Sequence, residues 1–190
     1  MKFIYADPPY IGQAKKHYDR EEVCHATLIK QLCAEGDAWA LSCSSPTLQE
    51  ILPMCPIKPK PRIGAWIKPF CAFKKNVNPA YAWEPVIFWN ARKRTRHQDT
   101  ERDWIAESIT LRKGLSGAKP LPFCFWLFDF ANLTPEDEFV DLFPGTGIVT
   151  EAWEMWKKRF PVSPAEQPQS TVMAGQGPVM RQTTAEETCR

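Results

Sequence analysis

The first 45 residues constrain the fold more than any other stretch. Lys2-Phe3-Ile4-Tyr5-Ala6 reads as a short strand without polar alternation, and Ala38-Trp39-Ala40-Leu41-Ser42-Cys43 reads as another. Strands of this kind are buried on both faces. Between them, Val23, Leu28, Ile29 and Leu32 form the apolar stripe of a helix. Asp19 starts it in capping-box style with Glu22, and Gly36 stops it. A short helix over 47–52 comes next. Strand, helix, strand, helix implies parallel strands and an α/β sheet.

The rest of the chain adds to that sheet. Arg62 to Lys68 predicts a third strand, Glu84 to Trp89 a fourth and Glu138 to Phe143 a fifth. Pro85 near the start of the fourth suits an edge or first-residue position. An aromatic helix is expected over Phe123 to Leu133, and a last helix runs to about Lys158 with Ile148, Ala152 and Trp156 as its stripe. From Pro161 to residue 190, Pro, Gln, Ser, Thr and Gly dominate and periodicity is lost, which predicts a disordered tail. One domain over 1–160 is expected.

Composition narrows the function only by exclusion. The net charge of +2 does not announce a nucleic-acid binder, so any such contact must come from a local patch. The seven cysteines form no C-x-x-C and are expected as buried free thiols. A zinc site using Cys24 and His25 lacks ligand spacing, and no metal is expected. No apolar run approaches a membrane span, and Met1-Lys2 leads straight into the first strand. The expectation is a cytoplasmic protein with no membrane contact.

Two loops and one charged run carry chemistry. The first strand runs into Asp7-Pro8-Pro9-Tyr10. The prolines stiffen the backbone and leave only carbonyl acceptors, Asp7 adds a carboxylate, and Tyr10 adds a flat ring. Such a loop can accept hydrogen bonds from an amino group while stacking its heterocycle. The fifth predicted strand runs through Asp141 and Phe143 into Pro144-Gly145-Thr146-Gly147 and then a helix. Small residues there let a ligand approach the backbone and the free N–H groups of the helix. Residues 90–118 hold the one strong basic cluster: Arg92, Lys93, Arg94, Arg96, Arg102, Arg112 and Lys113. It suits either a solvated loop or phosphate contact beside stacking aromatics.

The two loops together are more specific than either alone. Asp7-Pro8-Pro9-Tyr10 resembles the catalytic motif of amino-group DNA methyltransferases. Phe143-Pro144-Gly145-Thr146-Gly147 resembles their F-x-G-x-G motif for S-adenosylmethionine, and Lys119-Pro120 resembles the segment preceding it. With the catalytic motif first and the cofactor motif last, the order is similar to the permuted beta class, and most similar to small phage-type DNA adenine methylases. The resemblance implies a Rossmann-like α/β methyltransferase fold with circularly permuted motif order. It implies Asp7, Pro8, Pro9 and Tyr10 as catalytic residues. It implies Asp7, Lys119, Asp141, Phe143, Pro144, Gly145, Thr146 and Gly147 as cofactor-binding residues. It further implies double-stranded DNA with a flipped base as substrate, methylation at adenine N6, and residues 90–118 as a target-recognition-like insertion. Cytosine N4, RNA adenine and a catalytically silent nucleic-acid binder stay open as alternatives. The family's strand after the cofactor helix, ending in an acidic residue, has no counterpart here, so a shortened sheet is expected, with a homodimer as one way to complete it.

Overall fold

A computed structural model describes residues 1–14, 21–69, 77–109 and 118–160. Its strands are β1 (Lys2–Ala6), β2 (Ala38–Ser42), β3 (Arg62–Ile67), β4 (Trp83–Trp89), β5 (Trp104–Ala106) and β6 (Glu138–Asp141). Its α-helices are α1 (His25–Glu35), α2 (Leu48–Ile51), α3 (Leu121–Phe130) and α4 (Ile148–Lys157), with single 3-10 turns on either side of α2. The strands form one sheet in the order β5-β3-β4-β2-β1-β6. β1 pairs parallel with β2 and β6, and β3 parallel with β5, whereas β4 runs antiparallel to both β2 and β3. Five strands therefore point one way and β4 alone points the other.

The two-residue period of β1 divides the core. Phe3 and Tyr5 face one layer with Phe123, Phe128, Trp153 and Trp156 of α3 and α4. Ile4 and Ala6 face the other with Leu28, Ile29 and Leu32 of α1 and Ile51 of α2. Helices on both faces explain why the strands lack polar alternation. Five of the eight tryptophans are buried: Trp39, Trp66, Trp126, Trp153 and Trp156. Trp153 stacks on Trp156 at 5.1 Å, and Phe128 meets both edge-on at 5.2 and 5.7 Å. Each such aromatic pair adds about 0.5–1.5 kcal/mol beyond its buried area.

Several expectations need correction. α1 begins at His25, after the irregular residues 21–24, and the expected start at Asp19 lies outside the described residues; Glu22 accepts the backbone N–H groups of Gly12 and Ala14 at 3.3 and 3.2 Å, pinning the turn after Tyr10. Gly36 ends α1 in ordinary extended geometry; a Cβ there would lie 3.0 Å from Ile4, so close packing accounts for the glycine. Pro85 sits in a central strand. Its carbonyl accepts the Cys43 N–H at 3.1 Å, so its nitrogen faces the same side, just past Ser42, the last residue of β2, where no ladder bond is lost. The segment 90–118 is not wholly an insertion, because Trp104–Ala106 joins the sheet as β5. The fifth predicted strand is the sixth observed and ends at Asp141. The expected tail over 161–190 lies outside the described residues.

No helix among the described residues is long and apolar enough to cross a membrane. None of the described His, Cys, Asp and Glu residues cluster as a metal site, and Cys24, Cys33, Cys43, Cys55 and Cys124 are free thiols. Cys24 alone of these is exposed, against the expectation of burial.

Candidate active site

The carboxyl ends of β1, β2, β3, β5 and β6 share one edge of the sheet, and the reversed β4 brings its amino end there too. This is the edge at which open α/β sheets bind ligands. Asp7 leaves β1 and Asp141 ends β6, on neighbouring strands. Tyr5 is opposite Asp141 in register, and its carbonyl accepts the Leu142 N–H at 2.9 Å. The two loops singled out in the sequence are thus adjacent.

Lys119, immediately before α3, is the centre of the site's charge. It is 5 % exposed, yet its Nζ lies 3.0 Å from Asp7 Oδ1 and 3.5 Å from Glu84 Oε2. Trp66, Phe123 and Tyr10 surround it, with ring centroids at 5.2, 5.7 and 5.9 Å. Glu84, the second residue of β4, also pairs with Lys68 at the end of β3 and accepts the Tyr10 hydroxyl at 2.8 Å. Two carboxylates and two ammonium groups balance in charge.

Burial by itself would lower the Lys119 ammonium, but Asp7 and then Glu84 outweigh it and hold the pKa above the ordinary lysine value. Burial likewise acts to raise Glu84, and Lys119 and Lys68 together hold its carboxyl below the usual range. At Asp7 burial prevails over Lys119, and the carboxyl is raised. Asp7 is the more weakly stabilised carboxylate of the pair, which suits a group that accepts hydrogens from a substrate.

The second loop is open and glycine-dependent. Gly145 and Gly147 have φ of +49° and +79°, where an L side chain is strained, and a Cβ on Gly147 would meet nothing within 4 Å. Gly147 caps α4, and its N–H donates to the Pro144 carbonyl at 2.6 Å. Asp141 Oδ1 accepts the Phe143 N–H at 3.3 Å, while Oδ2 is buried with no partner among the described residues. Burial raises this carboxyl to about 6, with Asp7 adding to the effect.

The structure thus brings Asp7, Pro8, Pro9, Tyr10, Lys119, Asp141 and the 143–147 turn to one edge. Lys119 contacts Asp7 of the first loop and the Tyr10 ring. Arg92, Lys93, Arg94 and Arg96 do not join them: they follow the far end of β4 and lie at the opposite edge. Arg92 donates to the Asn132 carbonyl and to Asp137 at 2.9 and 2.6 Å, and Arg94 donates to the Asp129 and Asp99 carbonyls. These two guanidinium groups are engaged within the protein, because this edge must satisfy the buried Asp137 and the carbonyls at the end of α3. Lys93 and Arg96 are exposed, and Arg102 lies over the Trp104 ring at 5.2 Å along the lateral strand. Arg112 and Lys113 lie outside the described residues. Glu84 and Lys68 were absent from the expected site; only the spatial meeting of β3 and β4 with the Asp7 loop reveals them.

The fold has solved counterparts. A crystal structure of the M1.HpyAVI–SAM complex superposes with a TM-score of 0.55 at 17 % identity, covering 82 % of this chain and 78 % of that one. A second structure of M1.HpyAVI gives 0.53 at 16 % identity, covering 82 % and 77 %. This is the S-adenosylmethionine-dependent methyltransferase fold. No family model and no curated protein sequence matches the chain.

Proposed function

We propose that the protein methylates the N6 amine of adenine in double-stranded DNA, with S-adenosylmethionine as methyl donor. The observation that carries this reading is the adjacency of the Asp7-Pro8-Pro9-Tyr10 and Phe143–Gly147 loops on neighbouring parallel strands. The likeness to the M1.HpyAVI–SAM complex supports it.

The glycine turn fits the cofactor. It has open space above its backbone, and the unpartnered Asp141 Oδ2 is an acceptor suited to an amino or hydroxyl donor. Asp141, Phe143, Pro144, Gly145, Thr146 and Gly147 would hold it, with Asp7 nearby. When bound, S-adenosylmethionine supplies an electrophilic methyl group on sulfonium.

The chain's own residues prepare the nucleophile. An adenine amine is poorly nucleophilic because its lone pair is delocalised into the ring. Asp7 and the Pro8 carbonyl accept hydrogen bonds from its two N–H groups and localise that pair. The Tyr10 ring stacks on the flipped base, worth about 1–3 kcal/mol against an extrusion cost of a few kcal/mol. Mass spectrometry of nucleosides from unmethylated DNA incubated with the protein and S-adenosylmethionine tests the proposal. N6-methyladenine is the expected product. N4-methylcytosine corrects the base, and the absence of any methylated base from folded protein overturns the reading.

A further inference from the structure

The prolines stiffen the 7–10 loop but cannot by themselves fix the Asp7 carboxylate or the Tyr10 ring. Both are held from β4. Glu84 Oε2 accepts the Tyr10 hydroxyl at 2.8 Å and lies 3.5 Å from Lys119, whose ammonium is 3.0 Å from Asp7. Glu84 Oε1 takes Lys68. One carboxylate therefore ties the stacking ring and the hydrogen-accepting group into a single arrangement. Without it, two ammonium groups would face Asp7 alone and the phenol would lose its partner.

We infer that Glu84 is a positioning residue for methyl transfer, orienting Tyr10 directly and Asp7 through Lys119. This deepens the methylation proposal and rests on it. A phenol donating to a charged carboxylate makes a strong, directional bond. The site keeps both partners in the right form: burial, then Asp7 and Glu84, hold the Tyr10 phenol well above its ordinary pKa, and the lysines keep Glu84 ionised.

The test compares Glu84→Ala, Glu84→Gln, Tyr10→Phe and the double variant Glu84→Ala/Tyr10→Phe in full-length protein, with unmethylated DNA and S-adenosylmethionine. Glu84→Ala is expected to lower kcat by about 10²-fold, the cost of misplacing reacting groups by about 1 Å. Cofactor Kd by calorimetry should stay close to wild type. Glu84→Gln keeps an acceptor for Tyr10 and should recover about tenfold of the loss, the worth of one such hydrogen bond. Tyr10→Phe should lower kcat alone but add little on top of Glu84→Ala. Unchanged kcat with only a lower Tm in Glu84→Ala would reduce Glu84 to a structural ion pair and overturn the inference, as would additive losses in the double variant.

A second readout separates this inference from the methylation proposal. In protein labelled at tyrosine Cζ and lysine Nζ, Tyr10→Phe assigns Tyr10 among the four tyrosines. Glu84→Ala should shift the Tyr10 Cζ and the buried-lysine resonances in NMR spectra. Wild-type protein that transfers no methyl group defeats the methylation proposal; resonances that do not move defeat the positioning role.

Discussion

Replacing Lys119 with Met keeps the stem's volume and removes only the charge. The ammonium lies 3.0 Å from Asp7 and 3.5 Å from Glu84, and both carboxylates are largely buried, with side-chain exposures of 24 % and 19 %. At an effective dielectric constant of about 20, each contact gives roughly 5 kcal/mol of gross attraction. Desolvating the ammonium offsets more than half of the sum, so the net loss is about 3–5 kcal/mol, the usual cost of stranding a buried partner. For a domain of this size that is about 6–20 °C in Tm. The loss should also depend on pH. Lys119 is raised above its unfolded pKa, so its contribution is full at neutral pH and fades only as pH rises through the folded value. In Lys119→Met the stranded Asp7 and Glu84 can neutralise by taking up protons, so the deficit should shrink from pH 8 to pH 5. Urea unfolding of both proteins at the two pH values measures it. A deficit below about 1 kcal/mol, or one equal at both pH values, would refute the claim that Lys119 holds the site's charge together.

Three further outcomes follow from the same geometry. Gly64→Ala would put a Cβ 2.7 Å from the Trp126 ring and 3.0 Å from Phe88; thermal unfolding should show a loss of about 1–3 kcal/mol from overpacking. Asp141→Asn should stabilise the protein at pH 8. The folded carboxyl is raised to about 6, so its penalty is absent below the unfolded pKa and complete above 6. The shift corresponds to about 3 kcal/mol, nearer 1–2 after solvent screening, and the gain should vanish below about pH 4. Asp7→Ala should abolish methyl transfer and cost less stability than Lys119→Met, since burial already disfavours the ionised Asp7 and Glu84 still pairs with Lys119; normal turnover by a folded variant would remove Asp7 from the chemistry.

One structural fact accounts for most of what the sequence showed and what it hid. β1, β2, β6 and the two motif loops were legible because their signals are local: continuous apolar runs, a strand leading into Asp-Pro-Pro-Tyr, a strand leading into Pro-Gly-Thr-Gly. β5 was not, because three residues set among charged neighbours carry no periodicity. The direction of β4 was not legible either, since an apolar strand reads the same whichever way it runs. That direction decides both large differences from expectation. Because β4 is reversed, its exit carries Arg92, Lys93, Arg94 and Arg96 to the edge opposite Asp7, where Arg92 closes on Asp137, a carboxylate that the N-terminal ammonium also meets at 2.6 Å. For the same reason its entrance delivers Glu84 to the edge of the Asp7 loop, beside a lysine 35 residues further along the chain. In a parallel β4 the two would trade places, with the arginines near Asp7 and Glu84 far from Tyr10. The reversal therefore places a second acidic partner of Lys119 at the edge of the two motif loops and carries Arg92, Lys93, Arg94 and Arg96 away from it.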